Sequence, residues 1–265
     1  MYRLEKFSLP QSSTEQFWDN KYALESISEP VAAEFSRQHF WPLLQSHLKQ
    51  GERYLDAGCG QGGWLLYLKT LGHHVAGIDI APKTIASLKT YDSTLELKVG
   101  SISQIAYPDE HFAGVIALGT LEYVDGAVPQ ALREVHRVLK PNGFFFIEVP
   151  ILNSLRRWLY RPLKYVGAVI KRSQGKRATF ANYLFTRREM TKLLHDAGFT
   201  ITAVQPHELP EADRHYGLYI DWPFLRGGDH YQLNGLGVFI KAVANWLSPW
   251  IASTGMIVVA RKPHA

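Results

Sequence analysis

Between Tyr54 and Gly63 the chain reads Tyr-Leu-Asp-Ala-Gly-Cys-Gly-Gln-Gly-Gly, a short apolar run entering a glycine-rich turn. Glycine takes positive φ at no steric cost and lets a ligand approach the backbone. A turn of this kind that opens a helix also aims free N–H groups at the ligand. Asp79 ends the next apolar run, 19 residues after Gly60. A carboxylate there can accept both hydroxyls of a ribose, so the pattern predicts a cofactor containing adenosine. Two cofactors fit. Gly58-x-Gly60-x-x-Gly63 matches the dinucleotide fingerprint, which would make the protein an NAD-dependent oxidoreductase. Asp56 argues the other way, because it would repel a pyrophosphate and attract the ammonium of an amino acid. Three more side chains are candidate bases. Glu122 follows the apolar run that ends at Leu118, and His215 and His230 lie in a long segment, with His207, before the last apolar run. A positioned carboxylate or imidazole can take a proton from an acceptor. Glu122 reads first as a hydrogen-bonding partner of the cofactor, and the histidines first as loop residues. Cys59 is the only cysteine, which excludes an internal disulfide and a cysteine-cluster metal site, and no metal-ligand spacing such as His-Glu-x-x-His occurs.

Several elements must hold these groups in place. Residues 1–50 read as a helical lead, with Ser12-Ser13-Thr14-Glu15 capping a first helix and a second from about Val31 to Gln50. Apolar strands are expected at 53–57, 74–79, 95–99, 113–118 and 144–149, with helices at 64–71, 82–89 and 129–139 between them. A helix at 186–197, a strand at 199–204 and a last strand at 256–260 complete the pattern. Strands that alternate with helices, and are apolar throughout, predict an α/β fold: a doubly wound, mostly parallel sheet covered on both faces. The core unit is 51–150. Residues 151–185 form a basic insertion, and 186–265 return to the same domain with an acceptor-side insertion at 206–253.

Taken together, the motifs resemble class I S-adenosylmethionine-dependent methyltransferases. Asp56-x-Gly58-x-Gly60-x-Gly62 resembles their first motif, Gly77-Ile78-Asp79-Ile80 their second, Gly100–Phe112 their adenine-side loop, and Leu132–Gly143 the helix and Lys-Pro-x-Gly turn before their fifth strand. The resemblance implies a Rossmann-like sheet of seven strands, with S-adenosyl-L-methionine as methyl donor and S-adenosyl-L-homocysteine as product. It places Asp56, Gly58, Cys59, Gly60 and Gly62 at the amino-acid end of the cofactor. Asp79 and Ile80 fall at the ribose, Ser101 and Ile102 at the adenine, and Leu118, Gly119 and Tyr123 beside the reacting methyl. Trp18 and Tyr22 fold over the methionine end. Ser101 and Ala113 stand where the family usually carries aspartates, which leaves the adenine contact less defined and a non-catalytic cofactor binder as one alternative. The Asn/Asp-Pro-Pro-Tyr/Phe sequence of amino-base methylating relatives is missing after Leu118, so a small-molecule acceptor is expected and nucleic acid is not.

Charge is unevenly spread. The chain has 265 residues and a net charge of +5, yet residues 151–192 hold eleven Lys/Arg and only Glu189 as an acid. Leu155, Trp158, Leu159 and Leu163 recur at helical spacing there, opposite Arg156, Arg157, Arg161 and Lys164. An amphipathic basic helix is expected over about 155–172, either as a lid packed by its apolar side or as a peripheral membrane contact. Phe239, Ile240, Val243, Trp246, Leu247 and Trp250 form a second stripe that would pack on the first. Trp158, Tyr160, Tyr165, Phe180 and Tyr183 keep an RNA-directed methyltransferase as an alternative. Apolar residues make up 46% of the chain, enough for a sizeable core. The start, MYRLEKFSLP, lacks a signal-peptide core, and no apolar run is long enough to span a bilayer. A cytoplasmic protein, peripheral at most to the inner membrane surface, is expected.

Overall fold

Apolar strands and covering helices build one seven-stranded sheet. The computed structural model describes residues 1–7, 14–22, 27, 32–162, 165, 178–209 and 211–264. The sheet strands are β2 (Arg53–Ala57), β3 (His74–Asp79), β4 (Glu96–Val99), β5 (Phe112–Leu118), β6 (Leu139–Pro150), β8 (Thr200–His207) and β9 (Gly255–Arg261). Their spatial order is β4-β3-β2-β5-β6-β9-β8. The five strands on the β4 side run parallel, and β9 is inserted antiparallel between β6 and β8. The strand order reverses at β2, whose neighbours are β3 and β5. In open α/β sheets a crevice for ligands opens at the carboxyl ends of strands at that point. Leu55, Ile116, Phe145, Phe146, Ile257 and Val259 are wholly buried, as expected where helices cover both faces.

The covering helices are α4 (Gly63–Thr70), α5 (Pro82–Tyr91), α6 (Val128–Val138) and α7 (Arg187–Asp196). Proline falls in the first turn of α5 and α6, where its missing N–H costs nothing. Thr186 and Glu189 form a reciprocal capping box at the start of α7.

The N-terminal region differs from the helical lead expected. It opens with a strand, β1 (Tyr2–Phe7), which pairs antiparallel with β7 (Ala178–Leu184) in a separate two-stranded sheet. Their partnership joins residues about 180 apart, and no local pattern announces it. Helix α1 (Thr14–Tyr22) follows; its expected caps Ser12 and Ser13 lie outside the described residues. The second lead helix is split into α2 (Ala32–Ser36) and α3 (Trp41–Gln45). Pro42 explains the break, since it has no N–H to donate to the Gln38 carbonyl. Phe40 and Leu44 still face inward.

The basic insertion also differs. Its described part is a π-helical turn, Arg156–Tyr160, flanked by short helical residues, and its C-terminal part is the strand β7. Residues 163–164 and 166–177 lie outside the described residues. Arg156, expected on the solvent face, is buried, and Trp158 and Leu159, expected inward, are exposed. The cause is an ion pair: Arg156 Nε donates to Asp221 Oδ2 at 2.6 Å, and its Nη1 donates to the carbonyls of Ile151 (3.0 Å) and Thr254 (3.3 Å). Asp221 ends α8 (Tyr216–Asp221) in the segment before β9, which also carries α9 (Gly235–Leu247). Little of the second apolar stripe packs on the first: Phe239, Val243, Trp246 and Leu247 of α9 are exposed, and only Ile240 meets Leu155, through a small cluster of leucines, among the described residues.

Candidate active site

At the carboxyl end of β2 the backbone turns through Gly58 at φ +89°, a left-handed conformation that favours glycine. A Cβ on Gly58 would lie 2.2 Å from Thr120 Oγ1, so the bare backbone is also a steric requirement. The Gly58 and Cys59 N–H groups donate to the Ile78 carbonyl at 2.7 and 3.0 Å, which ties the turn to β3. Asp79 then locks the turn from the end of β3. Its Oδ2 accepts from Gly60 N–H and its Oδ1 from Ala81 N–H, each at 2.9 Å. Burial pushes the Asp79 carboxyl up, and these backbone N–H groups pull it back. Each oxygen keeps a further lone pair.

Asp79 opens onto a cavity of about 680 Å³, within the range typical of small-molecule sites. Gly58, Ile80, Ser101, Ile102, Gly119 and Tyr123 line it too, as do Trp18 and Tyr22, so nine of the residues singled out by sequence converge there. Ser101 is fixed by its neighbour: the two hydroxyls of Ser101 and Ser103 are 2.8 Å apart, and Ser103 N–H donates to Ser101 Oγ at 3.2 Å. The remaining candidates lie elsewhere. Cys59 packs into the apolar cluster with Leu65, Ile85 and Leu97, and Gly60, Gly62 and Leu118 are not on the cavity wall. Asp56 is buried off the wall. Burial, then the charge of Asp79, pushes its carboxyl up to about 7.

The three candidate bases are also off the wall. Glu122 is 5% exposed and its Oε2 has no hydrogen-bond partner among the described residues. Burial, reinforced by Glu148, raises its carboxyl well above the ordinary range. His215 caps α8: its Nδ1 accepts from Leu218 N–H at 3.0 Å, and its Nε2 lies 3.4 Å from Glu208. Burial pulls His215 down to about 4 and keeps it neutral. His230 is an exposed turn residue at φ +35°.

Residues that the sequence reading did not assign to the cofactor site close the cavity. Helix α1 contributes Phe17 and Lys21 besides Trp18 and Tyr22. Trp18 stacks on Tyr22 at 5.5 Å and meets Tyr123 edge-on at 4.9 Å. The helix is pinned at two points: Asp19 Oδ1 accepts from the first-turn amides of α5, Lys83 (3.0 Å) and Thr84 (3.3 Å), and Gln61 Nε2 donates to the Tyr22 carbonyl at 3.1 Å. Phe180 of β7 forms another wall, held under the Arg3 guanidinium at 4.6 Å. Arg3 in turn pairs with Asp125, which also accepts from the Tyr183 hydroxyl at 3.1 Å. Phe180 and Tyr183 therefore face the cavity and the core, and the five aromatics expected to stack RNA bases do not share one surface. Of the further lining residues only Thr120 leaves a local trace, in the glycine it requires at position 58; Phe17, Lys21 and Phe180 leave none.

Fold and site together define a class I methyltransferase. The chain belongs to the methyltransferase domain family (Methyltransf_23), which matches residues 30–204, well over half of it. This decides between the two cofactors the glycine turn left open: the methyl donor is S-adenosylmethionine. The bare backbone at Gly58, the carboxylate of Asp79 and the cavity beyond them suit that nucleoside. An uncharacterized methyltransferase of Synechocystis is 26% identical over 166 residues, covering 62% of this chain and 74% of that protein. A demethylmenaquinone methyltransferase of Chlorobaculum parvum is 32% identical over 167 residues, covering 57% of this chain and 68% of that protein. Among solved structures, a SAM-dependent methyltransferase of Methanosarcina mazei superposes with a TM-score of 0.60 over 84% of this chain and 98% of that one, at 20% identity, a likeness of fold. The chain spans from about a third to about three quarters of the length of the curated relatives it matches. No helix among the described residues is long and apolar enough to cross a membrane.

Proposed function

We propose that the protein methylates a small, largely apolar acceptor that enters the cavity from the side walled by Phe17, Trp18, Tyr123 and Phe180. The observation that carries this reading is that one cavity is lined both by Gly58, Asp79 and Ser101 and by the rings of Phe17, Trp18, Tyr123 and Phe180, with Lys21 and Asp125 among them. When bound, S-adenosylmethionine supplies an activated methyl group for in-line displacement. Asp79 holds the ribose hydroxyls, the Gly58 backbone admits the amino-acid portion, and Ser101 and Ile102 flank the adenine. Gly119, Thr120 and Tyr123 border the acceptor's approach. No histidine or glutamate among the described residues lines the cavity. Asp125, a second carboxylate on the lining, is held by Arg3 and the Tyr183 hydroxyl, so the chain's contribution is alignment and exclusion of water, and the acceptor's nucleophile is one that needs no strong base. The names of several relatives, which include demethylmenaquinone and sterol methyltransferases, support an acceptor of that apolar class. The test is transfer of tritium from methyl-labelled cofactor to quinol-type and sterol-type acceptors, followed by organic extraction. Label is expected in the organic phase with wild type and not with Asp79→Ala; transfer only to polar amines would overturn the apolar assignment.

A further inference from the structure

Helix α9 is packed inside out. An ordinary surface helix turns its apolar stripe to the core and its charges to water. In α9 the inward residues include Gly237, Lys241 and Ala244, and the outward ones are Leu236, Phe239, Val243, Trp246 and Leu247. These five positions recur at the spacing of one helix face. Phe239 is 64% exposed and Trp246 84%. The only charge on the helix, Lys241, is 7% exposed, and its ammonium donates to the carbonyls of Glu211 and Arg214 at 2.5 Å each. Gly237 permits the close approach, since a Cβ there would meet the Leu225 carbonyl at 3.0 Å and Leu233 Cβ at 2.9 Å. The buried side of α9 is thus small and polar, flanked by half-buried Val238 and Ile240, and five large apolar side chains are left outside.

The same character extends to the neighbouring elements. Leu218, Leu225 and Leu233 form a small core against which Leu155, Trp222, Val238 and Ile240 pack. This core joins α9 to α8, to the 3-10 turn Pro223–Leu225 and to the π-helical turn Arg156–Tyr160. Those elements also carry large apolar side chains outward: Ile220, Phe224, Trp158 and Leu159. Exposed apolar surface of this extent, gathered on one part of a molecule, marks an interaction site.

We propose that this face is a membrane-docking surface that seats on an anionic lipid bilayer, with α9 lying in the plane of the interface. Charge selects the occupant. Helix α9 carries no Asp or Glu, and exposed Arg157, Arg161 and Arg226 stand on the adjoining elements. Trp, Phe and Leu entering the acyl boundary beside arginines at the headgroups is the composition of an interfacial binder. A second copy of the chain would bring these arginines toward their own kind, with the exposed Glu211 and Asp229 of the neighbouring loops to offset them. A helix of 13 residues lies on the bilayer without crossing it. The proposal is independent of the acceptor's identity, so its failure would leave the methyl-transfer reading intact.

The test is co-sedimentation of the full chain with vesicles of phosphatidylcholine containing phosphatidylglycerol, compared with phosphatidylcholine alone, at low salt and at about 0.5 M salt. Wild type is expected to bind the anionic vesicles about tenfold or more tightly than the neutral ones, and less at high salt. Phe239→Glu with Trp246→Glu removes binding to both, and Arg157→Gln with Arg161→Gln removes the preference for anionic lipid. Unchanged affinity for S-adenosylhomocysteine reports that each variant is folded, and the single exposed change Trp246→Ser gives a weaker loss if the double variant does not fold. Wild type remaining in the supernatant with anionic vesicles at low salt would overturn the proposal. So would variants that bind as wild type does. A wild-type dimer that Trp246→Ser splits, with no binding to vesicles, would assign the face to a second copy instead.

Discussion

At the scale of single residues, Asp56 and Asp79 show how two carboxylates on adjacent strands divide their work. Asp79 reaches the cavity and is held by two backbone N–H groups; Asp56, one strand over, is sealed beneath the turn. Because burial pushes Asp56 up to about 7, the folded protein holds that proton more tightly than the unfolded chain does. The stability it lends is therefore fully present below the ordinary carboxylate range and is lost as pH rises to about 7. Asp56→Asn removes this dependence. Between thermal melts at about pH 5 and about pH 8 the variant is expected to gain on wild type by about 3 kcal/mol. The cavity residues legible in the sequence, among them Gly58, Asp79, Ser101 and Gly119, lie at strand ends or in the turns that follow, where local spacing fixes their position. Phe180 and Lys21 were not assigned to the cavity because β7 and α1 reach it only through long-range packing. Glu122 and His215 had the right chemistry for a base, but exposure and hydrogen-bonding partners decide that role, and neither is written in local sequence.

At the scale of elements, α1 behaves as a pinned cover. Its Asp19 carboxylate meets the free amides at the start of α5, a helix whose own cap residue, Ala81, offers no side-chain acceptor. Asp19→Ala is expected to cost about 1 kcal/mol of local stability and to weaken S-adenosylhomocysteine binding several-fold, mainly through faster release, as read by stopped-flow. The Arg156–Asp221 pair fixes the π-helical turn against α8. Asp221→Ala strands a buried guanidinium and is expected to lower unfolding stability by about 3–5 kcal/mol in denaturant melts; replacing both partners by Leu recovers most of the loss. The strands and helices around the glycine turn were readable because their periodicity and caps agree. The lead helix was misread across Pro42, where a proline at the start of one helix looks like an interruption within a longer one. The basic insertion was misread because helical spacing says which residues share a face, not which face turns inward.

At the scale of the whole molecule, the order β4-β3-β2-β5-β6-β9-β8 places one crevice at β2, and the lead segments fold back over it. The doubly wound sheet was legible because apolar strands alternate with helices along the chain. The β1–β7 ribbon was not, because it joins the two ends of a long sequence separation. The account rests on cofactor uptake at the carboxyl end of β3, and calorimetry with S-adenosylhomocysteine measures it directly. Wild type is expected to bind with one site per chain, and Asp79→Ala to lose affinity by about 2 kcal/mol or more, the cost of removing an anionic acceptor of hydrogen bonds, with its melting profile still cooperative. Equal affinity in the two proteins, or no binding by wild type, would contradict the account.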